Sequence, residues 1–277
     1  MPKSQALEEL QNELHISSSQ IFVYLNCSLK YRFMYVEARK PELIPIALPF
    51  GSAIHSAMEM YYRSVKNSGN PEPLEAIIGR FEDCLSLDLD HSDIPVVYKK
   101  EAPDKDSVIK MGKGLLEMFY ESVDLTGMQV IGTELPLSAT LFSETRSATD
   151  LKLIGVLDLL LRDQNGELLI VDHKTAARKK AQSAVNEDLA FTIYSYLLAA
   201  NRYVLPSADV NCRMDVLRKL KTAPKMDQYY TVRTRADRKR FAKIASIALA
   251  GIEGKIFVPQ SSWMCGDCQH SKSCQEW

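Results

Sequence analysis

No run of roughly eighteen apolar residues, the length of a membrane-spanning helix, occurs anywhere in the 277 residues. Met1 to Leu14 is polar and acidic and lacks the apolar centre of a secretory signal, so the expected compartment is the cytoplasm. A Gly-x-x-x-x-Gly-Lys-Ser/Thr loop is missing, and with it any expectation of a nucleotide cofactor or an ATP-driven motor. The chain has no internal repeat and no low-complexity tract. Excess charge is also lacking: 34 Lys and Arg face 35 Asp and Glu, a net charge of −1. That average neither favours nor excludes a nucleic-acid partner.

What is present is ordinary at the coarse scale. Hydrophobic residues make up 46% and charged residues 25%, and the length suits one large domain or a core with one insertion. Charge is uneven along the chain. Arg213 to Lys243 holds eleven Lys or Arg and three Asp. Such a stretch suits a groove that follows phosphates, and equally a solvated helix face.

Three regions follow from the pattern. Residues 1–127 read as helical, with helices over Ser17–Tyr35, Gly51–Val65, Pro73–Leu85 and Lys105–Val123. Residues 128–258 read as a mixed region. Met128–Ser138 is short and apolar. Leu151–Leu161 and Leu168–Asp172 are strands joined by the turn Asp163-Gln164-Asn165-Gly166. Helices over Asp188–Asn201 and Thr234–Gly251 bracket strands at Val210–Leu217 and Tyr229–Val232. Residues 259–277 form a tail with three cysteines.

The hairpin carries the chemistry. Asp158 interrupts a strand that is otherwise Leu, Ile and Val, and Asp172 ends the next strand two residues before Lys174. On a strand, Asp172 and Lys174 share a face, and the hairpin brings Asp158 beside them. Two carboxylates in an apolar setting repel each other, and a divalent cation removes that cost. Oxygen ligands suit Mg²⁺ or Mn²⁺, which can activate water and neutralise charge on a phosphate. Lys174 can hold the water. A lone Asp-x-Lys reads equally as an ion pair on a half-exposed strand.

Gly155-Val-Leu-Asp158, a turn, and Ile170-Val-Asp172-His173-Lys174-Thr175 resemble the PD-(D/E)XK nuclease superfamily in its RecB-like branch. The resemblance implies an α/β, restriction-endonuclease-like fold: a mixed central sheet flanked by helices, with an N-terminal helical region and a C-terminal iron–sulfur tail. It also implies DNA cleavage. The branch carries an upstream Gly-x-x-x-His motif, matched by Gly51 to His55, which makes His55 a metal ligand with Asp158, Asp172 and the backbone carbonyl of His173. Imidazole leans the choice toward Mn²⁺. Glu134 is the candidate counterpart of the family's upstream acid. The family's Gln-x-x-x-Tyr motif is incomplete: Tyr194 or Tyr196 supplies the Tyr, but Ala190 and Thr192 stand where Gln would be.

Cys265, Cys268 and Cys274 crowd into the last thirteen residues, and Cys27 lies far upstream. Disulfides are not expected in the cytoplasm, which leaves a metal. Four thiolates suit tetrahedral Zn²⁺, although only one Cys-x-x-Cys knuckle is present. The resemblance extends to the AddB nuclease domain and the CRISPR-associated exonucleases, where cysteines in this spacing hold a 4Fe–4S cluster. It therefore implies the same for these four, with zinc as the alternative. Cys84 and Cys212 have no partner motif.

The expected function is a metal-dependent phosphodiester hydrolase, a DNA exonuclease acting on single strands or ends. Tyr194, Tyr196, Arg218, Lys219 and Lys221 are the candidate DNA contacts by charge and stacking. The pathways it could serve are recombination, repair, phage or CRISPR-linked processing, with protein partners in a complex. The rival expectation is a non-catalytic DNA-binding or assembly subunit that keeps the fold.

Overall fold

The computed structural model describes residues 5–12, 14–90, 93–142, 148–220 and 223–277. Lys221, an expected DNA contact, lies outside the described residues.

After a short helix α1 (Gln5–Gln11), the chain makes a three-residue strand, β1 (His15–Ser17), before entering α2 (Ser18–Asn26). Ser17 starts that helix with a capping box: its Oγ accepts from Gln20 N at 3.1 Å, and Gln20 Oε1 accepts from Ser17 N at 2.6 Å. The sequence predicts one helix over Ser17–Tyr35. Instead the backbone breaks at Cys27, which is extended (φ −163°, ψ 100°), and resumes as α3 (Ser28–Tyr31) and a π-helical turn over Arg32–Val36. Two-residue strands β2 (Ile44–Pro45) and β3 (Val96–Val97) pair in parallel. Helix α4 (Ala47–Ser68) admits Pro49 in its first turn, where no amide donor is needed, and ends on Gly69 at φ 80°. Helices α5 (Leu74–Asp90) and α6 (Lys105–Ser122) complete this region.

Strands β4 (Gln129–Phe142), β5 (Ala148–Arg162) and β6 (Leu168–Ala176) follow, then α7 (Gln182–Asn186), α8 (Leu189–Ala200), β7 (Val210–Arg218), β8 (Lys225–Arg233) and α9 (Arg235–Glu253). A 3₁₀ turn at Trp263–Asp267 and α10 (Ser271–Gln275) form the tail. The turn between β5 and β6 forms as its sequence demands: Asp163 Oδ1 accepts from Asn165 N at 2.9 Å and Glu167 N at 2.8 Å. Strand β8 begins four residues before the predicted Tyr229. Half-exposed polar residues there extend an edge strand that only β7 pairs, so the hydrophobic pattern understates its length.

The sheet is mixed, in the order β1-β5-β6-β7-β8, with β4 on the other edge of β5. The β6–β7 and β1–β5 pairs are parallel and the rest antiparallel. Helices cover both faces. Leu159, Leu161, Leu169, Val171 and Leu217 pack against Ile54, Met58, Tyr62, Phe81, Leu116 and Phe119 of α4–α6. Leu157, Leu160, Ile170, Met214 and Val216 pack against Ile21 of α2, Phe191 and Leu197 of α8, and Phe241 of α9. The expected mixed sheet flanked by helices is therefore present. The helical region shares one apolar core with the sheet.

Candidate active site

The site forms where two neighbouring strands part. β5 pairs with β6 only from Leu159–Arg162 to Leu168–Val171, and beyond Val171 strand β6 stays with β7 alone. β1 takes the same edge of β5 at Lys152–Ile154. Residues 155–158 of β5 and 172–176 of β6 thus line the inside of a fork. Where the ladder would have continued, Asp158 Oδ2 accepts the His173 amide at 2.8 Å. A carboxylate replaces a main-chain acceptor, and the open fork leaves room for it.

Asp172 and Lys174 point to the α8 face. Asp172 is buried, and Lys174 Nζ lies 2.9 Å from its Oδ1 and 2.8 Å from its Oδ2. His173 turns to the opposite face, where its buried ring stacks on Tyr62 (centroids 5.5 Å apart, planes at 21°). His55 reaches in from α4, with Nδ1 3.5 Å from Asp158 Oδ2. Glu134 comes from β4, opposite Asp158, at φ 43°. That backbone conformation is costly for a residue with a Cβ and is characteristic of functional sites.

One potential ligand atom each from His55, Glu134 and Asp158 lies within 4.8 Å of the others. Asp172 is outside this compact set because its carboxylate is turned to Lys174. Among the described residues, the structure therefore gathers His55, Asp158, Asp172 and Lys174 at one fork, with Glu134 as the third member of the tight group.

The electrostatics suit a divalent cation. Burial, then the nearby Asp158 and Glu59, push Glu134 up to about 8. Burial also raises Asp172, against the pull of Lys174. Burial disfavours the Lys174 ammonium, yet Asp172, Asp158 and Asp188 outweigh it and hold that amine above its ordinary value. Crowded carboxylates that resist ionisation, beside an imidazole, are the donor set of a divalent cation.

Helix α8 closes the α8 side of the site. Gly155 lets it approach: a Cβ there would come within 2.5 Å of Leu197 Cδ1. Tyr194 is buried near the acids, and its hydroxyl is raised well above normal by burial and then by Asp172, Asp158 and Glu134. Tyr196 points away, with its ring on Phe241 (5.5 Å) and its hydroxyl donating to Thr140 O at 3.2 Å. The structure thus separates two tyrosines that the sequence left equivalent. Asp188, the N-cap of α8, accepts from Ala190 N at 2.8 Å and lies near enough to Asp172 and Lys174 to influence both. Sequence reasoning missed it, although an Asp just before an apolar helical run is a capping signal.

Much of the basic stretch faces inward. Arg213 pairs with buried Asp215, and Arg218 with Asp227. Arg233 donates to Thr192 Oγ1 at 3.0 Å and to main-chain carbonyls of Val185 and Asp188 at 3.0 and 2.9 Å. Arg238 bonds Ser195 Oγ and two loop carbonyls. Lys219 is held over the Phe50 ring at 4.8 Å. Lys225, Arg235, Lys239, Arg240 and Lys243 of the stretch are exposed, and so is a second basic group, Arg178, Lys179 and Lys180, directly after β6. Lys180 N donates to Tyr229 Oη at 3.2 Å, which fixes this loop over β8. Three successive cations four residues past Lys174 were its signal in the sequence.

The four expected cluster cysteines converge. Cys27, Cys265, Cys268 and Cys274 all line one cavity of about 220 Å³. Burial, then Cys27, Cys268 and Cys265, raise the Cys274 thiol. Yet among the described residues no three cysteine sulfurs lie within 4.8 Å of one another. The two remaining cysteines, Cys84 and Cys212, are buried elsewhere.

Comparison with known proteins bears on the family and the fold. The family model of the PD-(D/E)XK nuclease superfamily matches residues 15–275. Among solved structures, a protein from Eubacterium rectale described as a candidate exonuclease shares the fold at a TM-score of 0.57. It is 10% identical, over 98% of this chain and 92% of that one. A second structure, SSO0001, is 13% identical over 90% of this chain and 95% of its own, at a TM-score of 0.40. No curated protein matches the chain. No helix among the described residues is long and apolar enough to cross a membrane.

Proposed function

The chain belongs to the PD-(D/E)XK nuclease superfamily, and from that premise we propose that it is a metal-dependent DNA exonuclease of the RecB-like branch, acting in the cytoplasm on single-stranded DNA or on DNA ends. Members of the superfamily are phosphodiester hydrolases that use divalent metals. The observation that carries the reading is the fork itself: His55, Glu134 and Asp158 grouped within 4.8 Å, beside the Asp172–Lys174 pair.

In this reading His55, Glu134 and Asp158 hold Mn²⁺ or Mg²⁺, joined by Asp172 and the backbone carbonyl of His173. When bound, the ion neutralises charge on the phosphate and makes water a better nucleophile at neutral pH. Lys174, kept charged by its acidic neighbours, would hold the attacking water and stabilise charge on the phosphate. Asp158 also fixes the Asp172-His173-Lys174 segment by accepting the His173 amide. Tyr194 lies buried beside the acids, so it would act by positioning them rather than by stacking on DNA. Arg178, Lys179 and Lys180 supply exposed charge for phosphates beyond the cut.

The four cysteines would hold a 4Fe–4S cluster in preference to zinc. A tetrahedral zinc site with bonds of ~2.3 Å keeps its thiolates about 3.8 Å apart. These four instead ring a cavity of about 220 Å³. Cys27, Cys265, Cys268 and Cys274 would supply the four thiolates, and their spacing in the sequence, which resembles that of the cluster-bearing relatives, favours iron–sulfur.

Digestion of 5′- and 3′-labelled single strands, blunt duplexes and covalently closed circles, with Mn²⁺, Mg²⁺ or EDTA, tests the reading. Stepwise loss of linear DNA with circles spared is expected. Cutting of circles would replace exonuclease with endonuclease, and DNA binding without cleavage would favour an assembly subunit. Iron and acid-labile sulfide on anaerobically purified protein should be equal in amount; zinc in their place overturns the cluster.

A further inference from the structure

We propose that His270 donates a hydrogen bond from Nδ1 to a sulfur of the cluster held by Cys27, Cys265, Cys268 and Cys274, and thereby raises the reduction potential of that cluster. This rests on the iron–sulfur reading above and concerns a residue outside the cysteine motif.

His270 stands between Cys268 and Cys274 and lines the same cavity as the four thiols. Its ring is buried, yet Nδ1 has no hydrogen-bond partner among the described residues. A buried ring nitrogen without a partner loses its water and receives nothing in return, so such atoms are rare in folded proteins. The ring is also not free to swing out. It packs on Phe33, with centroids 5.9 Å apart, and Arg39 caps the other ring at 4.3 Å.

The backbone around it is tied down as firmly. Cys274 N donates to His270 O at 3.0 Å. Glu42 N donates to Gln269 O at 2.8 Å. The Glu42 carboxylate then accepts from Lys272 N at 2.9 Å and from Ser273 N and Oγ at 2.8 Å each. An imidazole clamped this way, beside a cavity lined by sulfur, is a prearranged donor.

With four thiolates for four irons, the ring is not needed as a ligand. Hydrogen bonds to cluster sulfurs stabilise the more negative, reduced state and raise its potential. No bond is made or broken. One electron enters from an external reductant, and the imidazole stabilises the added charge.

The experiment compares wild type with His270→Phe and His270→Gln, all purified anaerobically. Iron and sulfide are quantified first, and potentials are then measured by EPR-monitored titration. His270→Phe should load the same cluster but shift its one-electron reduction equilibrium about tenfold toward the oxidised form, a fall of ~59 mV. His270→Gln, which keeps a donor, should recover part of the shift. In case His270→Phe does not assemble, wild type labelled with ¹⁵N-histidine and reduced with a europium(II) chelate is examined by pulsed EPR. A histidine nitrogen coupled to the cluster spin is expected. A fully loaded His270→Phe with wild-type potential, or the absence of that coupling, overturns the role of His270 and leaves the cluster standing. Wild-type protein without iron overturns both.

Discussion

Asp158, Asp172 and Lys174 stand on adjacent strands in the middle of the sheet, while the cysteines come from outlying segments that meet only when the chain is folded. In the first region the backbone positions everything. The fork, the His173 amide on Asp158 and the close approach of α8 at Gly155 fix the side chains before any ion arrives. In the second, short elements are drawn together by a few contacts: Ser28 Oγ with Val258 N at 2.9 Å, Lys99 with Asp267 at 2.6 Å, and the Glu42 clamp. A metal at the fork would find its ligands placed, whereas one at the cysteines would hold its ligands in place. In the proposed reading the first would serve chemistry and the second the integrity of the fold.

That contrast can be broken experimentally. The largest effect should come from Lys174→Ala, with about a 10²–10³-fold loss in the rate of oligonucleotide digestion, in line with loss of a key charge-stabilising group. Its melting temperature should stay near wild type. A digestion rate equal to wild type would remove Lys174 from the chemistry. Cys27→Ser should do the reverse. Losing a link that spans over two hundred residues costs about 3–5 kcal/mol by chain-entropy reasoning, seen as a fall in melting temperature of roughly 10 °C. EDTA, by comparison, should stop digestion with little change in melting. If the cysteine variant melts like wild type, the tail is not a staple.

A subtler test separates the two regions by pH. Glu134 is pushed up to about 8 in the fold, from about 4.5 when unfolded. Between these values the unfolded chain has released its proton and the folded chain has not, so metal-free stability should fall as pH rises through the window. Glu134→Gln should flatten that slope, as should saturating Mn²⁺ in the native protein. Urea denaturation at a series of pH values in EDTA checks it, and a slope unchanged in the variant would sink the assignment. The smallest effect distinguishes the tyrosines: Tyr194→Phe should slow digestion by roughly fivefold, the worth of one hydrogen bond. Tyr196→Phe should leave the rate nearly unchanged, because its hydroxyl is spent on Thr140 O.

The sequence made part of the site legible for a definite reason. Asp158, Asp172 and Lys174 are local to one hairpin, so strand periodicity and one turn were enough to bring them together. Glu134 was harder. Its place depends on a left-handed backbone conformation in β4 and on the register of β4 with β5, neither of which residue pattern reveals. The basic stretch divides because charge along a sequence does not report direction: Lys225, Arg235, Lys239, Arg240 and Lys243 are exposed. Arg213, Arg233 and Arg238 are spent inside, pairing with Asp215 or with loop carbonyls. The helix predicted over Ser17–Tyr35 hid its most informative position, since nothing in the composition marks the extended break at Cys27.

That break has a consequence for how the protein is made. Cys27 emerges from the ribosome more than two hundred residues before Cys265, Cys268 and Cys274. At ~20 residues per second, it waits roughly ten seconds for them. During synthesis the cell therefore carries a nascent chain whose fork can form while its early thiol stands alone. On the proposed iron–sulfur reading, insertion of the cluster would therefore follow synthesis of the tail, and oxidants or competing metals would meet Cys27 first.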